Sequence, residues 1–348
     1  MILSLQRTRI EGAQVNIWKD VFRISRNLKN SMKSMKAMEV DLVYLWVNGN
    51  DPQWRAKRNA TIGRTEDGSA VNCEGRYADN DELKFSLRAV EMYAPWIRRI
   101  FIVTDNQVPR WLDVSNPKIR IVDHTEIIPA EYLPTFNSPV IEHFLYRIPG
   151  LGEHFLYAND DMFINRPVTP ADFFGSDGLP ILRLNRRPFR RLTLFLKSKL
   201  LKRKISNYNL TIQNSARMVE RRYGVYYGGK THHNIDAYNK SFCRHVFEDV
   251  FKDEIEPTLT NHVRSDNDVQ RNIYSYAAIA EKQGHLQYVS QKTSFRFHID
   301  NHSHYEKLEK YNPLLFCMND SQYADQNDRE RVTEYLKSRF PKKSGFEK

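Results

Sequence analysis

Four short apolar runs, each ending in a small polar cluster, constrain this chain more than any other feature. "DLVYLWV" runs into "NGND", "RIFIVT" into "DNQVP", "KIRIVD" into His124, and "HFLYA" into "NDD". Runs rich in β-branched and aromatic residues, closed by turn formers, predict strands. Between the first two, Leu83, Leu87 and Val90 recur at helical spacing. Asp79, Asn80 or Asp81 would cap that helix and Pro95 would end it. Ser138 and Pro139 predict the start of a second helix, with Ile141, Phe144, Leu145 and Ile148 on one face. Strand, helix, strand, strand, helix, strand is the order of a Rossmann-like α/β fold with a mostly parallel sheet. Ligands of such sheets bind beyond the carboxyl ends of the strands, and there the four polar clusters would converge.

The same reading divides the chain into a basic lead-in segment (1–40), an α/β core (41–180), a basic insertion (181–204) and a mainly helical lobe (205–348) that completes the site. The formal charge is +11, and residues 183–204, "RLNRRPFRRLTLFLKSKLLKRK", hold ten Lys and Arg and no acid. Such a stretch attracts anionic lipid or a phosphate-bearing substrate. No helix-turn-helix, zinc-finger or RNP-type signature accompanies it, so nucleic acid is not an expected partner. In the lead-in, "VFRISRNLKNSMKSMK" could form a short amphipathic helix, but its apolar face is weak for a membrane surface, and the stretch reads as a lead-in segment. The chain has no transmembrane-length apolar run and no secretory apolar region. Cys73, Cys243 and Cys317 form no C-x-x-C pair. These features place the expectation in the cytoplasm, extending to the inner face of the membrane.

Asp160 and Asp161 end the fourth run, and carboxylates at a rigid strand end suit a hard divalent ion such as Mg²⁺. Glu142 falls in the first turn of its helix, where interaction with the helix dipole alone accounts for it. His143 reads as a surface or interface residue. In "KTHHNID", His232 and Asp236 lie four apart and could pair, and an imidazole there suits a general base. Zinc is disfavoured, because H-H-x-x-D lacks the usual spacing and no cysteine is near in sequence. "HVRSDNDVQ" offers Arg264, Asp266 and Asp268, and the planar Arg fork suits a phosphate. No P-loop, G-x-G-x-x-G fingerprint or G-x-S-x-G elbow is present.

Four stretches in order, "DLVYLWVNGNDPQW", "RYADNDELKF" through "ANDDMF", "THHNIDAYNKSF" with "NHVRSDNDVQ", and "FCMND", resemble the Stealth family of sugar-phosphate transferases. That family includes bacterial capsular polysaccharide phosphotransferases and the animal enzyme that adds N-acetylglucosamine-1-phosphate to lysosomal glycoproteins. The resemblance implies a GT-A-like core and transfer of a hexose 1-phosphate from a nucleotide-sugar, of the UDP type, to a hydroxyl of a polysaccharide or lipid-linked glycan. It implies catalytic roles for Glu142, Asp160, Asp161, His233 and Arg264. It places Trp46, Val47, Asn48, Gly49, Asp51, Asn80, Glu82, Arg88 and Thr104 around the nucleotide-sugar. It gives a Mg²⁺ or Mn²⁺ ion to Asp161, Asn319 and Asp320. The chain departs from the family pattern at Asn48, where Asp is usual, at Asp81, where Gly is common, and at "THHN", which replaces H-x-P. Two rival readings remain, a metal-dependent glycosyltransferase that would release UDP, and a non-catalytic polyanion-binding protein built on the basic stretch.

Overall fold

A computed structural model describes residues 38–63, 80–202, 205–321 and 323–348. The amphipathic lead-in stretch, Asp79 and Cys73 lie outside the described residues. Strand β1 (Val40–Leu45) opens the core, followed by helix α1 (Pro52–Ile62) and helix α2 (Glu82–Tyr93). Next come β2 (Ile100–Thr104), β3 (Ile119–Asp123), helix α3 (Ser138–Glu142), β4 (His154–Asn159) and β5 (Met162–Ile164).

All four predicted strands form, and they lie side by side. The central sheet has the order β3-β2-β1-β4-β7, where β7 is Asp236–Asn239. The pairs β3–β2, β2–β1 and β1–β4 are parallel, and β4–β7 is antiparallel. The protein is thus an α/β fold on a mostly parallel sheet. Because side chains alternate along a strand, Val43 enters one apolar cluster while Val40, Leu42 and Tyr44 enter another on the opposite face. Both faces are buried, which explains why β1 reads as a continuous apolar run. Asp41 is the exception within it: fully buried, it is held by Arg98 Nε at 2.8 Å and by the Gly152 amide at 2.7 Å.

Helix α2 packs Leu83, Leu87 and Val90 against the central sheet, as their spacing predicts, and Phe85 and Ala89 against a third cluster. Its cap is Asp81, in the left-handed region at φ +64, which is why glycine suits this position. The helix predicted from 139 to 148 is shorter. α3 ends at Glu142 and a separate 3-10 turn covers Leu145–Arg147. Pro149 holds Ile148 extended, so no α-helical turn runs through it. Asn137, not Ser138, is the cap residue.

The C-terminal part adds β6 (Ile181–Leu184), helix α4 (Arg190–Phe195), α5 (Asn207–Tyr223) and α6 (Asn272–Ala280). Beyond these lie β8 (His285–Tyr288), β9 (Ser294–His298), α7 (Ser303–Tyr311), β10 (Leu315–Asn319) and α8 (Gln326–Arg339). This region contains strands that the helical expectation does not include. β7 extends the central sheet, and β10 pairs antiparallel with β5 and parallel with β9. The chain therefore passes from one sheet to another at Asp160–Asp161, which join β4 to β5.

Candidate active site

The carboxyl ends of β1, β2 and β4 open into one cleft, with a cavity of about 140 Å³. Trp46 and Val47 follow β1, Asp105 follows β2, His124 follows β3, and Asn159 ends β4 with Asp160 next to it. Trp54, Phe136 and Ile141 supply apolar walls, and Trp54 meets Phe136 edge-on with centroids 5.3 Å apart. Arg264 enters from the loop before α6, and its Nη2 donates to Ser138 Oγ at 2.8 Å. Trp46 Nε1 and His124 Nδ1 are buried in this wall without hydrogen-bond partners. Burial also lowers the His124 pKa to about 4, so its ring is neutral at neutral pH. An apolar slot with a few open polar atoms and one guanidinium is the chemistry of a ligand site.

Asp161, one residue on from Asp160, is not part of the cavity lining. Its Oδ2 accepts from Asn319 Nδ2 at 2.6 Å, and that amide also lies 3.3 Å from His233 Nε2. The ligand-type atoms of Asp161, His233 and Cys317 all lie within 4.8 Å of one another. Cys317 lies 84 residues from His233 in the sequence and reaches it through the pairing of β10 with β5; the fold thus supplies the cysteine that sequence distance hides. Burial raises the Asp161 carboxyl above the usual range, against hydrogen bonds from Cys317 and Asn319. Asp161 Oδ1 remains buried without a partner. Burial, then Arg296 and Arg271, hold His233 well below the ordinary imidazole pKa. His233 adopts φ +53, a left-handed backbone uncommon outside glycine and found at strained functional positions.

Glu142 does not line the cleft. It lies buried beneath it in an ionic hub, where Oε1 accepts from Arg271 Nη1 at 3.2 Å. The Tyr157 hydroxyl is 2.8 Å from both Glu142 Oε1 and Asn159 Oδ1, linking the hub to the end of β4. Arg271 Nε donates to Asp236 Oδ2 at 3.2 Å, and His232 Nε2 lies 2.9 Å from Asp236 Oδ1. The expected His232–Asp236 pair exists, on a loop and strand and not on a helix. Burial raises the Glu142 carboxyl in spite of Arg271 and Tyr157. Burial pushes Asp236 the same way, but His232 and Arg271 outweigh it and keep its carboxyl low. Environments that drive two carboxylates apart make Glu142 the protonatable member.

The remaining candidates divide. Asn48 and Gln107 exchange hydrogen bonds of 3.0 Å, Gln107 also donates to Asp51, and Gly49 O accepts from Arg55. These residues, with Asp51 capping α1, brace the loop that follows the cleft residues Trp46 and Val47, and do not themselves line the cavity. Thr104 is fully buried at the end of β2, its hydroxyl without a partner. Asn80 binds Glu82 at the start of α2 and neither lines the cleft. Arg88 turns away, donating to Glu347 Oε1 and Oε2 at 2.8 Å and to the Phe340 carbonyl. Asp320 is held by Arg329 Nε at 2.8 Å, apart from Asp161. Asp268 binds Asn137, Asn261 and the Ser265 amide, and so shapes the loop that carries Arg264; Asp266 is exposed. His143 is a core residue, 1% exposed, and not a surface one. Sequence reasoning placed His124 only within a polar strand-end cluster, and it missed Arg271 and Tyr157. Only the position of Arg271, directly after the "NHVRSDNDVQ" block, could have drawn attention to it.

A mostly parallel α/β sheet with a polar cleft at its carboxyl edge and paired acids just after β4 defines the class of fold. Residues 38–66 match conserved region 1 of Stealth proteins, and residues 76–182 match conserved region 2. An exopolysaccharide phosphotransferase of Streptomyces coelicolor is 35% identical over 89% of this chain and 52% of its own length. A capsular polysaccharide phosphotransferase of Haemophilus influenzae is 34% identical over 83% of this chain and 80% of its own. Another from Aeromonas hydrophila is 31% identical over 86% and 84%. The chain belongs to the Stealth family. It spans about half the length of the Streptomyces relative, 52%. Among solved structures, galactosyltransferase LgtC with donor and acceptor sugar analogues aligns with a TM-score of 0.42 at 11% identity, over 86% of this chain and 95% of its own. Among the described residues, no helix is long and apolar enough to cross a membrane.

Proposed function

We propose that this chain is a polysaccharide phosphotransferase, moving a hexose 1-phosphate from a UDP-sugar to a glycan hydroxyl in capsule or exopolysaccharide synthesis. The names of its relatives support the reaction class. The observation that carries the assignment of the site is the meeting of Asp160, Arg264 and the aromatic walls on one cleft. In this reading the base lies between Trp46, Trp54 and Phe136, and the open Trp46 and His124 nitrogens contact the base or ribose. Arg264, already steered by Ser138, takes the diphosphate through its planar fork.

A divalent ion of the Mg²⁺ or Mn²⁺ class fits the unpartnered, buried Asp161 Oδ1, since such ions take carboxylate oxygens and substrate phosphates. When bound, it would neutralise charge developing on the leaving nucleotide. The Cys317 thiol is protonated, its pKa pushed far up by burial and by Asp161, so it is not the preferred ligand for a hard ion. Asp320, committed to Arg329, is not part of this set.

His233, neutral and next to Asp161, takes the acceptor proton as the hydroxyl oxygen attacks the β-phosphorus. The bond to the nucleoside monophosphate breaks and a phosphodiester forms. Glu142, through Tyr157 and Asn159, acts as a positioning residue for the end of β4. The reaction places most of its demand on charge and orientation, which rigid strand ends supply. The test is transfer from UDP-hexoses to a hydroxyl-bearing glycan, with the phosphodiester followed by ³¹P NMR. Asp160→Asn and Arg264→Ala should each lower turnover about 100-fold or more. Full phosphodiester formation by both variants would remove this cleft as the site.

A further inference from the structure

The basic stretch is not an open loop. α4 (Arg190–Phe195) continues through a π-helical turn, Leu196–Leu200, as one rod of eleven residues. Its inner face is narrow: Arg190 and Leu194 are buried, and Arg190 Nη2 donates to Asn209 Oδ1 at 3.2 Å. Its outer face carries Phe189 (72% exposed), Leu192 (55%), Phe195 (57%), Leu196 (39%) and Leu200 (74%), followed by Leu201 (55%). Phe189, Leu192, Leu196 and Leu200 recur at i, i+3, i+7 and i+11, a single helical stripe. These six account for nearly half of the thirteen large apolar side chains exposed among the described residues. A cluster of that kind marks an interaction surface.

Cations flank the stripe. Lys197 and Lys199 lie on the rod, and Arg186, Arg187 and Lys202 lie at its ends. Among the described residues, Glu220 of α5 pairs with the rod, bound by Arg191 at 2.6 Å. Tyr288 extends the surface, half exposed beneath the Arg186 guanidinium. Lys230, on the neighbouring strap, is lowered to about 8, first by burial and then by Arg190 and Arg296.

We propose that this rod is an interfacial helix that seats the protein on an anionic lipid bilayer, with the apolar stripe in the acyl boundary and the lysines at the headgroups. Charge complementarity selects an anionic partner, since residues 183–204 carry ten Lys and Arg and no acid. The exposed Phe and Leu select lipid over a phosphodiester polymer, which would satisfy the cations and leave the apolar stripe in water. A second copy of this chain is disfavoured by the like charge it would bring. The location matters for the proposed reaction. The Asn185 amide donates to the Lys230 carbonyl and Leu184 bridges to Thr231, so the rod is anchored to the strap that leads into His232 and His233. Lipid docking would bring a lipid-linked acceptor to the side of the site where His233 lies. The docking itself does not depend on the sugar-phosphate reading.

Co-sedimentation of the full chain with phosphatidylcholine vesicles, with and without phosphatidylglycerol, tests it. The protein should pellet with the anionic vesicles and not with phosphatidylcholine alone. Leu192→Ser/Phe195→Ser/Leu200→Ser and Lys197→Glu/Lys199→Glu should each weaken that binding about tenfold or more, with unchanged circular dichroism melting. Absence of binding to anionic vesicles would overturn the proposal. So would full binding by the triple Ser variant, which would mark a purely electrostatic polyanion site. A wild-type dimer that the triple Ser variant dissolves, with no vesicle binding, would assign the stripe to a second copy and also overturn it.

Discussion

Asp160 and Asp161 are neighbours that serve different surroundings. One follows β4 and lines the cleft with Arg264, while the other leads into β5 and meets Asn319, His233 and Cys317. The two form the turn between β4 and β5, where the chain leaves one sheet for another, and so they reach two environments. The same residue-level logic governs His143. Its Nε2 lies 3.0 Å from the Val269 carbonyl and its Nδ1 2.8 Å from the Tyr274 hydroxyl, a pattern that the neutral ring satisfies with one proton on Nε2. Burial lowers its pKa from 6.5 to about 4. Between those values the unfolded chain binds a proton that the folded chain does not. Stability is therefore full above pH 6.5 and falls as pH drops toward 4, by an amount on the order of 3 kcal/mol. Denaturant midpoints across that range should drop less steeply in His143→Gln than in the wild type. Equal slopes would show that His143 is not the group responsible.

At the scale of elements, Arg88 shows how a motif residue can belong to the scaffold. From α2 it grips Glu347 with two 2.8 Å bonds and the Phe340 carbonyl with a third, tying the C-terminal segment to the core. Arg88→Ala should cost about 1–2 kcal/mol in chemical denaturation and leave the donor KM unchanged. A raised KM at unaltered stability would return Arg88 to the nucleotide pocket. The sequence made the long apolar strands legible, because burial on both faces leaves an unbroken β-branched run. α1 escaped notice because only Trp54 and Arg58 of its eleven residues are buried, which leaves no apolar period. Its signals were the Asp51 cap, Pro52 and Gly63, not a stripe. β7 is short and polar at both ends, "DAYN", and was absorbed into a helical reading. Its pairing with β4 is a long-range event without a local signature. His143 was read as a surface residue and Arg271 was missed for a related reason: a single polar residue carries no period, and only tertiary packing buries it.

For the whole molecule, the carboxyl edge of one parallel sheet gathers groups from both halves of the chain. Asp160 and Trp46 come from the first half, and Arg264, His233 and Asn319 from the second. The succession of strands and helices and the acid pair were readable locally, and the family blocks supplied the histidine and the arginine. The ionic hub of Glu142, Arg271 and Asp236 was not readable, because it is assembled from α3, β7 and the residue before α6. The central claim concerns which bond of the donor breaks, and the released nucleotide reports it directly. With a UDP-hexose and a hydroxyl acceptor, attack at the β-phosphorus releases UMP, which is the product this account predicts. Release of UDP, with the sugar joined through its carbon, would contradict it and make the protein a glycosyltransferase.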